Sequence, residues 1–151
     1  MGKSYLNNSN LPRGLINNNP GNLVQTSIAW LGKVPLSQNT DSRFEQFYEL
    51  RYGIRALMRD IISDYKKGKN TVVSLITEFA PEFENNTTVY INSVIASVGS
   101  NIIGDLTQEK LIAICKAIVL VENGTVVNQY IDDSDYNQAL SILGITLKKK
   151  A

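Results

Sequence analysis

The sequence predicts a mainly α-helical protein, with α+β as the alternative, and three observations carry that prediction. From Phe44 onward, apolar residues recur at the 3.6-residue period in about five segments. Before about residue 42 that period is missing, and Gly, Pro and Asn crowd the chain. There is no internal repeat and no alternation of strand-like with helix-like segments. With 151 residues, 43% apolar and 19% charged, the chain has a globular balance and suits one domain over 1–151. Its ends, 1–12 and 145–151, are expected to be flexible.

The N-terminal part holds Pro12, Gly14, Asn17, Asn18, Asn19, Pro20, Gly21 and Asn22. Gly and Asn tolerate positive φ and Pro fixes φ, so this composition predicts turns, with Gly21 at positive φ. Strand-like pieces fit Leu23 to Ile28 and the region of Val34, as one hairpin at most. A first helix follows from about Gly53 to Lys67. Ile54, Leu57, Met58, Ile61, Ile62 and Tyr65 form its apolar stripe and Gly68 its stop. Asn70 or Thr71 can cap a second helix reaching about Phe79, before Pro81. Thr87 can cap a third, with Val89, Tyr90, Val94, Ile95 and Val98 inward and Gly99 at its end. Asp105 with Gln108 resembles a capping box for a fourth. That helix buries Leu111, Ile114, Cys115, Ile118 and Val119 ahead of Gly124. A fifth runs from about Ser134 to Leu143 and stops at Gly144.

Composition narrows the chemistry. Net charge is +1, so no global field favours nucleic acid, and none is expected as a partner. The one basic cluster, Lys148 to Lys150, reads as a solvated tail. The chain has no His, which removes Ser-His-Asp catalysis and most zinc sites; no metal or cofactor is implied. The single Cys115 cannot form an internal disulfide and fits a helix core. No secretory signal is visible at the polar N-terminus. No apolar run approaches the roughly 20 residues that span a bilayer, so no stable membrane insertion is expected.

Carboxylates therefore remain as acid–base groups. Glycoside hydrolysis needs a carboxylic acid that stays protonated near neutral pH. The C-terminus of a helix disfavours a carboxylate and raises its pKa, and burial adds to the rise. Glu122 stands in that place, after the run Ala117 to Val121 and before Asn123-Gly124. Glu84 is the second candidate, just before a helix N-terminus, where its charge is comfortable. Glu45, between Phe44 and Phe47, reads as a solvated Glu on a helix face. Trp30 can stack on a sugar ring. Amides of Asn17, Asn18, Asn19, Asn22, Asn85 and Asn86 can bond sugar hydroxyl and acetamido groups.

These residues also carry a family resemblance. Arg13-Gly14-Leu15-Ile16-Asn17-Asn18-Asn19-Pro20-Gly21-Asn22-Leu23, Trp30-Leu31-Gly32, Phe44, Phe47, Gly53-Ile54-Arg55-Ala56, Ala80-Pro81, Glu84-Asn85-Asn86-Thr87, Tyr90-Ile91 and Glu122-Asn123-Gly124 resemble the small phage and prophage proteins of the "RNNNPGN" type. Those are regarded as virion-associated proteins with lysozyme-like, peptidoglycan-degrading potential. Two positions depart from the pattern: Ile16 stands where Arg is usual, and Val121 where a His usually precedes Glu-Asn-Gly.

The chain is also similar to bacterial glucosaminidases and lytic transglycosylases, in a different order. There the catalytic Glu at a helix end comes first, and the Asn turn, Trp-x-Gly and Phe-x-x-Phe/Tyr pieces come later. Here the Asn turn, Trp30 and Phe44 to Phe47 lead and Glu122 closes, as in a circular permutation. Tyr130 and Asp132 follow Gly124 at the spacing seen after the catalytic Glu of phage lysozymes.

The resemblance implies a lysozyme-like fold and cleavage of the glycan strands of peptidoglycan, as hydrolase or lytic transglycosylase. Glu122 would be the general acid; Glu84 stays the second catalytic candidate, although its place suits capping or substrate binding better than acid work. Substrate would be bound by the Asn residues, Trp30, Tyr90, Tyr130 and Asp132. The chain would reside in the virion or host cytoplasm and act at the wall, with other virion proteins as further partners. The alternative is a non-catalytic virion structural or wall-binding protein on the same fold.

Overall fold

The computed structural model describes residues 2–80 and 87–150. Its described part is mainly helical. A short helix, α1 (Arg13–Ile16), precedes α2 (Leu50–Lys66), α3 (Val72–Phe79), α4 (Thr87–Val98), α5 (Gln108–Asn123) and α6 (Asp133–Ser141). Single 3-10 turns lie at Leu36–Gln38 and Thr125–Gln129.

Helix α2 follows its stripe: Leu50, Ile54, Leu57, Met58, Ile61 and Ile62 are all buried, and Lys66 sits in the last turn, where the helix end favours a cation. It packs against α3, α5 and α6, while α4 packs against α3 and α5. One buried cluster runs through these contacts and includes Cys115, Ile118 and Tyr136. Helix α3 starts at a capping box in which Thr71 accepts from Ser74 N and Ser74 returns a bond to Thr71 N. Helix α6 starts at a second one, Asp132 with Asp135.

Four expectations are corrected. Helix α5 is capped by Thr107, whose Oγ accepts from Lys110 N, and not by Asp105. Thr87 lies within α4 rather than ahead of it. Val89 is 64% exposed, because the core-facing side of α4 is set by Tyr90 and Val94 one turn apart. The leading lobe forms no strand among the described residues: Val24 with Phe44 and Lys33 with Phe47 are isolated antiparallel bridges. Its backbone groups are met by a few scattered backbone bonds, such as Gln25 N to Arg43 O, Glu45 N to Leu23 O and Val34 N to Gln46 O, and otherwise by turns and side-chain amides.

Both ends are tied down. Leu50 N donates to Lys3 O, Lys3 Nζ reaches Asp135 at 2.9 Å, and Tyr5 OH donates to Tyr130 O at 2.7 Å. At the other end, Lys148 and Lys149 carbonyls accept from Gln108 N and Glu109 N, two first-turn donors of α5 that have no intrahelical partner. Lys148 and Lys149 thus belong to a docked segment, with Leu147 packed on the core.

Candidate functional site

The Asn run is the piece that brings the two ends of the site together. Asn18 and Asn22 adopt positive φ, 51° and 52°, which Asn tolerates better than any other side-chain-bearing residue. Gly21 does not, contrary to expectation; its lack of a side chain serves close packing, since a Cβ there would lie 2.8 Å from Leu57 Cδ1 on α2. The amides of Asn17, Asn18 and Asn19 are buried and turned inward. Asn17 donates to Asp41 Oδ2 and accepts from Gln46. Asn18 donates to Ser4 Oγ and Phe47 O and accepts from Tyr5 N. Asn19 donates to Leu23 O and Glu45 O and accepts from Leu23 N. Three side chains thus supplement the few backbone bonds of the lobe, such as Phe47 N to Asn17 O, and hold the turn in place.

Two glycines let this turn dock. At Gly53 of α2 a Cβ would lie 1.6 Å from Asn18 O, and at Gly14 of α1 one would lie 2.3 Å from Asn123 Oδ1. Asn123, the last residue of α5, donates to Pro20 O at 2.8 Å. The motif residues around Gly14, Pro20 and Gly53 are therefore packing partners of Asn123 and of the Asn turn.

Glu122 sits at this junction. Its Oε1 accepts from Asn22 Nδ2 at 2.9 Å and its Oε2 from Tyr90 OH at 3.0 Å. The carboxyl faces a cavity of about 530 Å³ whose lining includes Asn22, Trp30, Phe44, Asp60, Phe79 and Glu122. Burial raises the Glu122 pKa, the two donors pull it back, and the net shift is upward. The end of α5 pushes in the same upward direction. Among the described residues no Lys or Arg forms an ion pair with Glu122. The Tyr90 hydroxyl is pushed well above its ordinary value, first by burial and then by the Glu122 charge, so it remains a donor. Asn22 Oδ1 is buried and has no hydrogen-bond partner.

A second carboxyl in the cavity, Asp60 of α2, is pushed up to about 6. Burial is the main cause; Asp64 and Glu78 add to it and Lys67 opposes it. Sequence reading missed Asp60, though a signal existed: Asp60 and Asp64 are like charges at i and i+4 on one helix, a pairing that destabilises the helix. Among the described residues no three His, Cys, Asp or Glu side chains are grouped to hold a metal ion, and no helix is long and apolar enough to cross a membrane.

Over 118 residues the chain is 37% identical to Protein P5 of Pseudoalteromonas phage PM2, covering 75% of this chain and 72% of that protein. The chain belongs to the P5 family. No family model matches it. The phage setting that the motifs suggested is thereby shown.

In this P5-family chain the sequence-predicted site residues that are described fall into three groups. Glu122, Asn22, Trp30 and Tyr90 come together, with the first three lining the cavity and Tyr90 holding Glu122 from behind. Asn17, Asn18 and Asn19 shape the turn but do not line the cavity. Tyr130 and Asp132 lie elsewhere: the Tyr130 ring meets Tyr5 edge-on at 5.5 Å, and Asp132 caps α6 beside a smaller cavity of about 280 Å³. Glu84, Asn85 and Asn86 lie outside the described residues. Glu45 is not a solvated helix residue: its side chain is fully buried in extended backbone, 3.0 Å from Lys33 Nζ, with Thr26 also donating. Cys115 is fully buried and burial pushes its thiol far up, which fits a core role.

Proposed function

We propose that the chain cleaves the glycan strand of bacterial peptidoglycan, with Glu122 as general acid. One observation carries this reading. A carboxyl with a raised pKa, at a helix end, faces a cavity that also presents an aromatic ring, Trp30, and an amide, Asn22. A sugar polymer needs a ring face to stack on, a donor for its hydroxyl groups, which the second N–H of Asn22 can supply beside its bond to Glu122, and an acid for the glycosidic oxygen. Each Glu122 oxygen accepts one hydrogen bond and keeps a second lone pair, so the carboxyl can carry the transferable proton while staying held. Tyr90 and Asn22 fix its orientation.

In the reaction the protonated Glu122 donates to the leaving oxygen as the C1–O bond breaks, and the electron pair goes to that oxygen. The resemblance to lysozyme-like phage proteins, and the permuted order in which the Asn turn precedes the Glu-bearing helix, support this assignment. Peptidoglycan glycan strands are the proposed partner, and the wall the proposed place of action.

One observation favours a second reading. Both oxygens of Glu122 accept a bond from a fixed donor, as they would in a structural clamp that joins α4, α5 and the Asn turn. The chain would then be a virion structural or wall-binding protein. Zymography on purified peptidoglycan, with mass analysis of released fragments, decides between them: cleared bands with sugar-ended fragments support the enzyme, and no clearing supports the structural protein.

A further inference from the structure

Glycan cleavage in this cavity needs an answer to what receives the anomeric carbon once the leaving oxygen departs. We propose that Asp60 is a second catalytic residue, the base that takes a proton from water as the water attacks the anomeric carbon, so that the enzyme is a hydrolase. This rests on the glycan-cleaving reading of the Glu122 cavity.

Four observations carry it. Asp60 lines the same cavity as Glu122 and Trp30. It lies three residues beyond Leu57 on α2, about 4.5 Å along the axis. Leu57 is the side chain against which Gly21 rests, and Gly21 adjoins Asn22, the donor to Glu122. The two carboxyls are thus mounted on different helices around one space. Further, among the described residues no side chain or backbone group donates a hydrogen bond to the half-buried Asp60 carboxyl, and no cation pairs with it. A structural carboxylate at that burial normally has such a partner.

Among the described residues, the other acidic groups near the cavity fit the role less well. Glu45 is fully buried and does not line the cavity, and its Oε2 is held by Lys33 and Thr26. Glu78 is on the rim and exposed, and Asp64 is buried on the next turn of α2 without lining the cavity. Among the described residues, the charged groups acting on Asp60 are Asp64, Glu78 and Lys67, and their balance with burial sets its value near 6. That suits a general base working near neutral pH.

The step balances. Glu122 gives its proton to the glycosidic oxygen as C1–O breaks, water oxygen bonds to C1, and the water proton passes to Asp60. The products are one new reducing end and one free hydroxyl, and the two carboxyls re-exchange their protons with solvent.

The test compares wild type, Asp60→Asn, Asp60→Ala and Asp64→Asn on purified peptidoglycan, with fold checked by thermal melts. The expected results are reducing-end products from wild type and a loss of about 100-fold or more in kcat for Asp60→Asn. Added sodium azide should restore cleavage by Asp60→Ala with glycosyl azide as product, because azide attacks C1 without a base. Asp64→Asn should move the acid limb of the pH profile to lower pH. Anhydro-ended products, or a folded Asp60→Asn variant with wild-type kcat, overturn the proposal while leaving Glu122 as acid. No cleavage by wild type, or full activity in Glu122→Gln, overturns it together with the glycan-cleaving reading.

Discussion

Replacing Gly53 by alanine tests whether the Asn turn is seated on α2 as described. In a free helix interior the change from Gly to Ala stabilises by about 1 kcal/mol. Here a Cβ would lie 1.6 Å from Asn18 O, 2.8 Å from Asn18 C and 3.3 Å from Asn19 Cα. The obstructing atoms are backbone, so no side-chain rotation relieves them. The turn cannot slide freely either, because Asn18 is held by Phe47 O and Tyr5 N. Overpacking of this kind costs about 1–3 kcal/mol, and a backbone clash belongs at the upper end. After the helix gain of about 1 kcal/mol, the net expectation is a loss of about 2 kcal/mol. With a urea dependence of about 1–3 kcal/mol per molar, the unfolding midpoint of Gly53→Ala should fall by about 1 M. An unchanged or higher midpoint would refute the seating of the turn on this helix.

Leu57→Ala removes a side chain with no exposure that also supports Gly21; it should cost about 2–5 kcal/mol, read as a lower melting temperature and midpoint. Asp60→Asn should make the protein more stable at pH 8 by about 1–3 kcal/mol. The sign follows from its folded pKa of about 6, above the ordinary 3.8: its favourable contribution is full below 3.8 and is lost as pH rises through 6. Urea melts at pH 4 and pH 8 should therefore differ less in the variant than in wild type. Asp41 has the opposite sign, because the Arg13 guanidinium at 2.8 Å holds its carboxyl well below the usual range. That contribution is present above the ordinary pKa and lost as pH falls further, so Arg13→Ala should raise the pH at which acid unfolding begins, followed by circular dichroism.

The helical half was legible because its burial is one-sided and periodic. The stripe from Ile54 to Ile62 and the buried run from Leu111 to Val119 have no other way to leave water. The leading lobe was not, because its order comes from scattered backbone bonds and from side-chain amides meeting distant backbone groups. Asn18 with Phe47 and Asn19 with Glu45 are pairings that leave no period in the sequence. The same fact explains why three of the Asn residues read as ligand-facing: an amide suits a sugar and a buried carbonyl equally well. Glu122 could be found from its helix-end position, since position sets much of its electrostatics. Asp60 could not be found from periodicity, because it lies on the flank of the α2 stripe and only the folded chain turns that flank toward Trp30 and Glu122.

The central claim is that the Glu122 carboxyl supplies the proton for glycan cleavage. The most direct measurement is release of soluble fragments from purified peptidoglycan by wild type and Glu122→Gln, at matched concentration and with both melts recorded. Gln keeps the shape and can still bond Asn22 and Tyr90, but it has no acid proton to transfer. The two proteins should fold alike and only wild type should release fragments. Equal release by a folded Glu122→Gln variant, or none from either protein, would contradict it.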